Sequence, residues 1–387
     1  MIFSQRKPQS LFLLALCFWA TGLSAASTEA PSSDRSLVAD WLANRSPRYH
    51  QDAPAIQWKF AHPAPPVSML PPLWQSGFDW LQAVTGQAIE IKQYGGGTLY
   101  GYVGGAKAIR AGIADEGTCY SMTEAKGFEL TRTFQLPYVA PANPYLNARV
   151  INELTATTLK QEFTKRGVYP GHIIPSRPLT LMSKTPIRVP ADLRGKKVVS
   201  FITAPGAAEA LGYSEVRLPF PEIYTALQQG IVDAVIWVDM GFIPYKIYEQ
   251  AKYYTELNIA PSTIETCINR QSFDRLPDGL KRPVYEVQQK MVLAVIDQME
   301  AFSEQAMHTL EQNHVTRISL DDQVRTQWKA AFMPVTEQWL NQCEKAGKDC
   351  RKLVDDIQRL TKKYSALSNR ELTRLGLEAP VQGMIDF

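Results

Sequence analysis

Ala108-Ile109-Arg110-Ala111-Gly112-Ile113-Ala114-Asp115 and Ala226-Leu227-Gln228-Gln229-Gly230-Ile231-Val232-Asp233 share one pattern, Ala-[Ile/Leu]-x-x-Gly-Ile-x-Asp. Each copy reads as the last turn of an amphipathic helix, a glycine where the chain leaves that helix, and a turn into an apolar strand. The second copy is the fuller: Pro221 opens a helix, Ile223, Ala226 and Leu227 share its apolar face, and Ile231–Trp237 is strand-like. The copies begin 118 residues apart, too far for a solenoid period and suited to one αβ unit in each of two similar domains. Two such domains leave a cleft in which a ligand is held.

The flanking sequence extends this reading. Upstream of the first copy, Ile56–His62 is a strand stopped by Pro63, Pro65 and Pro66. Leu73–Val84 has helical spacing, Ile89–Gln93 is a second strand, and Tyr102–Ala111 is the helix of the repeat. The order β-α-β-α-β is that of a parallel sheet with covering helices. A second unit begins at Pro186–Val199, where Pro190 opens a single turn, Gly195 ends it and Lys197–Phe201 is a short buried strand. Val216–Phe220 reads as a further strand before the Pro221–Gly230 helix. From Leu280 the chain is almost wholly helical, over Lys281–His314 and Gln323–Leu360, and these helices are expected to tie the two domains together. The tail 364–387 is ambiguous.

With 387 residues, 45% apolar and 20% charged, the chain has ordinary globular composition and length for two cores. Residues 1–26 read as an export signal: Arg6 and Lys7, then apolar Leu11–Gly22, then Ser24-Ala25-Ala26. Residues 27–55 read as a loosely ordered leader with room for one short helix. Removing the signal lowers the formal net charge from +3 to +1, too balanced for a nucleic-acid partner. Four of the five cysteines remain, since Cys17 lies in the apolar segment. Cys343 and Cys350 read as a short disulfide loop between two helices; a zinc pair is the rival, but no His or second Cys pair lies nearby. Cys119 and Cys267 read as buried small apolar residues rather than a second bridge.

No motif asks for enzymatic chemistry. The five histidines form no ligand cluster, no Gly-x-Ser-x-Gly elbow exists, and Gly95–Gly97 has neither dinucleotide nor phosphate-loop spacing. No cofactor or metal is expected. Ligands of α/β sheets gather at the carboxyl ends of strands. Here those ends carry His62-Pro63, Cys119-Tyr120, Val199-Ser200, and Trp237 with Asp239, while Phe220 and Tyr224 flank the second copy. Aromatic residues there suit a pocket that stacks on an organic molecule; the alternative is that Trp237 and Phe220 fill a core.

At Pro186, Ile187, Asp192, Leu193, Gly195 and Lys197, and again at Pro219, Glu222, Tyr224, Ala226, Leu227, Gln228, Gly230, Val232, Asp233 and Ala234, the chain resembles the DctP-type solute-binding subunit of tripartite ATP-independent periplasmic (TRAP) transporters. Lys59-Phe60-Ala61-His62, Leu99 to Asp115, Ala251-Lys252-Tyr253-Tyr254 and Asn269 to Pro277 fit as well, so the resemblance covers about residues 56–340.

The resemblance implies an α/β, two-domain periplasmic binding protein that closes on a small molecule and passes it to membrane permease subunits, as a monomer or homodimer. Domain I is expected over 56–175 plus about 267–302, and domain II over 176–266 plus about 303–363. The chain would cross between them near Ile174–Leu179, near Thr263–Ile268 and in the C-terminal helices. The family's pocket positions fall on Pro63, Tyr102, Tyr120, Leu179, Val199, Phe220 and Trp237. Carboxylate-binding members commonly carry Arg after Gly-x-Lys-x, where this chain has Val199, and many carry Arg seven residues before the Pro-Ile pair, where it has Leu179. Arg177, two residues from Leu179 and on the same strand face, is the candidate substitute anion partner; a surface charge at the hinge is the other reading. The expected binding set is therefore His62, Pro63, Tyr102, Tyr120, Arg177, Ser200, Phe220, Trp237 and Asp239, for an organic acid with apolar or aromatic character. A sensor or partner-binding protein of the same fold is the alternative.

Overall fold

The computed structural model describes residues 35–49, 54–64, 68–124 and 126–387. The expected export signal, with Cys17, and part of the leader lie outside the described residues; the leader's described part contains the Arg35–Ala43 helix. In chain order the strands are β1 (Ile56–Ala61), β2 (Ile89–Tyr94), β3 (Glu116–Thr118), β4 (Val168–Pro178), β5 (Thr180–Ser183), β6 (Lys197–Ser200), β7 (Ser214–Glu215), β8 (Ala234–Trp237), β9 (Tyr253–Thr255), β10 (Pro261–Asn269) and β11 (Thr316–Ile318).

They form two sheets, ordered β2-β1-β3-β10-β4 and β11-β9-β5-β8-β6-β7. Set β7-β6-β8-β5-β9 beneath β2-β1-β3-β10-β4 and the two designs coincide, with β11 added at one edge. In each sheet three strands run parallel, β1 with β2 and β3, and β6 with β7 and β8. In each the fourth strand is antiparallel to the third and has come from beyond a crossing of the chain: β10 on β3, and β5 on β8.

The repeated sequence occupies the same place in both. Gly112 (φ 75°) and Gly230 (φ 73°) take the left-handed conformation that ends a helix. The following amides of Ile113 and Ile231 reach back to the carbonyls of Ala108 and Ala226. The second strand starts at Ala234 rather than the expected Ile231, because residues 231–233 are spent on this turn. The Gly105–Arg110 helix is shorter than the expected Tyr102–Ala111; Gly104, at φ 80°, sets its start. Val216–Phe220 is not a strand, since Pro219 and Pro221 remove amides a ladder needs and only β7 just before it pairs.

The chain leaves the first sheet at Leu179, between β4 and β5, and returns over residues 256–260, between β9 and β10. The two crossings are paired: Leu179 N donates to Ala260 O (2.9 Å) and Ile259 N to Leu179 O (3.0 Å). Leu179 is thus buried hinge backbone, and the stretch Thr263–Ile268 expected to cross lies inside β10.

The Asp278–Gln312 helix runs past both sheets. Val284 to Met299 bury in the first core, and Leu310 joins Met182, Val199, Ile223 and Phe242 in a second. The Asp322–Lys345 helix also bridges, with Trp328 Nε1 donating to Arg188 O (2.9 Å) and Trp339 Nε1 to Thr133 Oγ1 (3.2 Å). Its turn into Cys350–Tyr364 carries the expected Cys343–Cys350 disulfide. In the tail Asn369–Glu378 is helical, capped reciprocally by Ser368 and Glu371.

A second disulfide, Cys119–Cys267, corrects the reading of those cysteines as separate apolar residues. Both are buried, but the antiparallel pairing of β3 with β10 sets Cys267 opposite Gly117, so Cys119 falls on its diagonal with a Cα separation of 5.8 Å. That register, across 148 residues of sequence, is invisible in the chain.

Candidate functional site

The carboxyl ends of β6 and β8 present an aromatic wall. Phe201 follows β6, Trp237 ends β8, and Phe220 and Tyr245 come from the loops beside them. Ring centroids are 4.9 Å apart for Phe201–Trp237, 4.8 Å for Phe220–Trp237 and 5.8 Å for Phe220–Tyr245, all near parallel. Phe220 remains 40% exposed, more than a core side chain would be. The wall can hold its pitch because residue 241 is glycine: a Cβ there would stand 2.6 Å from Trp237 Cε3.

On the first lobe, Tyr120 follows β3 and lies under Tyr102, centroids 5.6 Å apart, with Tyr102 about half exposed. Burial raises the Tyr102 hydroxyl above its ordinary value, and the nearby Tyr245 hydroxyl of the other lobe adds to the shift. The Tyr102–Tyr120 pair is the first lobe's aromatic counterpart to the wall. Tyr100 stiffens the first-lobe side: its Oη donates to Ala61 O (2.8 Å) and lies 3.0 Å from Thr118 O, spanning the ends of β1 and β3. Gly117 permits this, since a Cβ would come within 2.2 Å of that oxygen.

Behind Tyr120 lies a polar chain that the sequence reading missed. Ser121 N (3.0 Å), Ser121 Oγ (2.8 Å) and Thr263 Oγ1 (2.5 Å) all donate to the carboxylate of Glu265, which is fully buried. Gln135 Nε2 donates to Thr263 Oγ1 (2.6 Å), and Thr203 Oγ1 of the second lobe donates to Gln135 Oε1 (3.1 Å). Burial raises the Glu265 pKa against the pull of these donors. The chain joins the lobes through neutral groups.

The expected residues do not all meet. Tyr102 and Tyr120 lie together at the end of β3 and Phe220 and Trp237 together at the end of β8. His62 is turned into the first core, 2% exposed, its ring 4.8 Å from Trp74 and its pKa lowered by burial; Pro63 beside it is buried. Ser200 Oγ accepts from Tyr213 Oη (3.0 Å) and is occupied with the β6 turn. The use of Arg177 as a free anion partner is corrected by its own ion pairs. Its Nε donates to Asp239 (3.0 Å) and one terminal nitrogen to both oxygens of Glu300 (2.6 and 2.7 Å). Arg177 and Asp239 satisfy each other at the hinge. Val199 is buried in the second core. No group of acidic, His or Cys side chains fit to hold a metal occurs among the described residues, and no helix among them is long and apolar enough to cross a membrane.

Phe201, Tyr245, Gln135 and Thr203 were not singled out from the sequence. Only Phe201 carried a signal, as the residue just past a buried strand; the others sit in loops or short turns without periodicity.

The sequence model of DctP, described as bacterial extracellular solute-binding protein family 7, matches residues 79–342. This chain belongs to that family. Among curated relatives of this DctP protein, the ectoine-binding periplasmic protein TeaA of Halomonas elongata is 22% identical over 240 residues, 58% of this chain and 67% of TeaA. The 2,3-diketo-L-gulonate-binding periplasmic protein YiaO of Escherichia coli is 25% identical over 195 residues, 46% of this chain and 54% of YiaO. The match thus spans about half to two thirds of these relatives' lengths. A TRAP periplasmic solute-binding protein of Desulfovibrio salexigens, solved as an open complex, superposes with a TM-score of 0.75 at 21% identity, over 81% of this chain and 98% of that one. The two-domain fold with long C-terminal helices is therefore that of the TRAP solute-binding proteins.

Proposed function

We propose that this DctP-family protein is the periplasmic receptor of a TRAP-type transporter. Its solute is a small organic molecule, best an organic acid, with a flat apolar or aromatic face. The observation that carries this reading is the stacked wall of Phe201, Phe220, Trp237 and Tyr245; closure would set it against the Tyr102–Tyr120 pair of the first lobe. Stacked aromatic side chains offer large contact area at low entropy cost, and they favour planar ligands. The structural relative from Rhodoferax ferrireducens, TM-score 0.70 and 19% identical over 81% of this chain and 99% of that one, was solved with copurified benzoate, which agrees with this ligand class.

In this reading the first lobe comprises the β2-β1-β3-β10-β4 sheet with its helices, and the second comprises the other sheet. They close about the paired crossings at Leu179 and Ile259–Ala260 and deliver the solute to membrane permease subunits. The export signal at 1–26 routes the protein to the periplasm. No covalent chemistry takes place in the gap.

Thermal-shift titration of the mature protein with benzoate, 3-hydroxybenzoate, pyroglutamate and ectoine tests the ligand class. Ligand at a hundred times its Kd should stabilise the protein by about 2.7 kcal/mol, a clear rise in midpoint. The shift should disappear, or need far more ligand, in Trp237→Ala. A strong response to succinate or malate that survives Trp237→Ala would overturn the reading.

A further inference from the structure

Arg177 sits two residues before the chain leaves the first lobe at Leu179, and it meets groups from two other elements. Glu300 and Ser303 lie one turn apart on the Asp278–Gln312 helix, where that helix passes from the first core to the second. Asp239 opens the turn after β8, two residues past Trp237. Arg177 Nε holds Asp239 Oδ2 at 3.0 Å, and a terminal nitrogen holds both Glu300 oxygens at 2.6 and 2.7 Å. Ser303 Oγ donates to the same Asp239 oxygen (2.5 Å), and Met240 N to the other (2.7 Å). The Asp239 side chain is 4% exposed, and those of Arg177 and Glu300 are 28% and 23% exposed. Pairs so far removed from water are costly to break singly.

The path from this cluster to the aromatic wall is short and rigid. Asp239 fixes the single turn Asp239–Gly241, and Gly241 lies so close under the indole of Trp237 that no Cβ fits between them. Thr180, just across the crossing, pairs with Trp237 in the β5–β8 ladder. A shift of Asp239 must therefore move the ring.

We propose that Arg177, Asp239 and Glu300 form a hinge clamp: positioning residues that touch no ligand, hold Trp237 at its angle in the wall, and set the resting relation of the two lobes through the Asp278–Gln312 helix. The inference rests on reading Trp237 as ligand-facing, but its test needs no ligand.

The protein is labelled with 5-fluorotryptophan, the Trp237 line assigned by its loss in Trp237→Phe and the Trp74 line, in the first core, by Trp74→Phe. In ligand-free protein, Glu300→Gln should displace or split the Trp237 line and leave the Trp74 line in place. Ser303→Ala, which removes one hydrogen bond and no charge, should cause a smaller displacement in the same direction and keeps the test open should Glu300→Gln fold poorly. The paired variant Arg177→Met with Glu300→Gln leaves the buried Asp239 carboxylate without its guanidinium. It should lower the thermal midpoint further than Glu300→Gln and displace the Trp237 line at least as far. Small-angle scattering should show a changed radius of gyration in Glu300→Gln. A fall in thermal midpoint with the Trp237 line and the scattering unmoved would mean that the cluster is a structural ion pair and nothing more, and would overturn the proposal. Failure of benzoate to bind would touch only the ligand class and leave this outcome readable.

Discussion

Asp115 and Asp233 make the same contact in the two lobes. The Asp115 carboxylate accepts the amide of Lys59 at 2.8 Å, and the Asp233 carboxylate accepts that of Lys197 at 2.8 Å. Their own amides return the bond, to Lys59 O (3.0 Å) and Lys197 O (2.8 Å). Each Asp therefore clips the end of the repeated helix to the neighbouring parallel strand, β1 or β6. This is why the echo in sequence includes an acid as well as the helix-ending glycine.

Replacing either Asp by Ala should cost about 1–2 kcal/mol, the usual penalty for stripping a charged acceptor from a partly shielded amide. Asp115→Ala should cost more, because Ser272 Oγ also donates to Asp115 (2.6 Å), a bond without a counterpart at Asp233 among the described residues. Urea unfolding of the two single variants checks both the size and the order; equal midpoints to wild type in both would remove the clip from the account.

The part of the fold that follows from local rules was readable in the chain. Helix–Gly–strand junctions, proline stops and apolar strands placed β1, β2, β6, β8 and the long C-terminal helices. The stretch 121–185 was not read: the Glu129–Thr133 helix is five residues, too short for periodicity to speak, and the helix from Pro144 to Thr164 changes its spacing at a π-segment over Thr155–Leu159. Of the candidate site, the strand-end aromatics Tyr120 and Trp237 were legible, where position alone carries meaning. His62 and Arg177 held equal positional claims, yet one ring turns into the Trp74 core and one guanidinium into two carboxylates. Only three-dimensional packing separates those outcomes.

A buried relay in the first core should shape the pH profile of stability. Trp74 Nε1 donates to His172 Nε2 (2.9 Å), so the imidazole proton sits on Nδ1, which faces Gln288 Oε1 (3.0 Å). Gln288 Nε2 then donates to Glu116 (3.1 Å). Burial pushes His172 down to about 4 and Glu116 up to about 8. For Glu116 the folded state keeps a proton that the unfolded chain releases near its ordinary 4.5, so its contribution falls as pH rises toward 8. For His172 the unfolded chain binds the extra proton, so stability rises from about 4 to 6.5. The two oppose one another between 4.5 and 6.5 and leave a net decline above it. Glu116→Gln should flatten that decline by about 2 kcal/mol between pH 6.5 and 8. Denaturant melts at half-unit pH intervals measure it, and an unchanged slope in the variant would refute it.

The two disulfides should differ in weight. Cys119–Cys267 closes a separation of 148 residues and Cys343–Cys350 one of 7. Loop-closure entropy gives about 5 kcal/mol for the first and about 2–3 kcal/mol for the second. Paired Cys→Ser variants compared by chemical denaturation should show that order. Mass spectrometry of the non-reduced periplasmic protein should recover both linked peptides, and free thiols at 343 and 350 would contradict the second bridge.

Two glycine substitutions separate the ligand wall from the core behind it. A Cβ at Gly241 would meet the Trp237 indole at 2.6 Å, and one at Gly95 would meet the His62 ring at 2.7 Å. Both lie at ordinary backbone angles, so the cost of alanine is steric in each case, about 1–3 kcal/mol of stability as a ring is driven aside. The consequences for binding should diverge. Gly241→Ala tilts the wall itself, so benzoate or 3-hydroxybenzoate affinity should fall by about ten- to a hundredfold, the equivalent of 1.4–2.7 kcal/mol. Gly95→Ala disturbs a histidine packed against Trp74 and Phe60, and affinity should stay within about twofold once both proteins are compared well below their melting points. Calorimetry on the two variants decides the matter: equal losses would place His62 back among the ligand contacts, and no loss in Gly241→Ala would take Trp237 out of them.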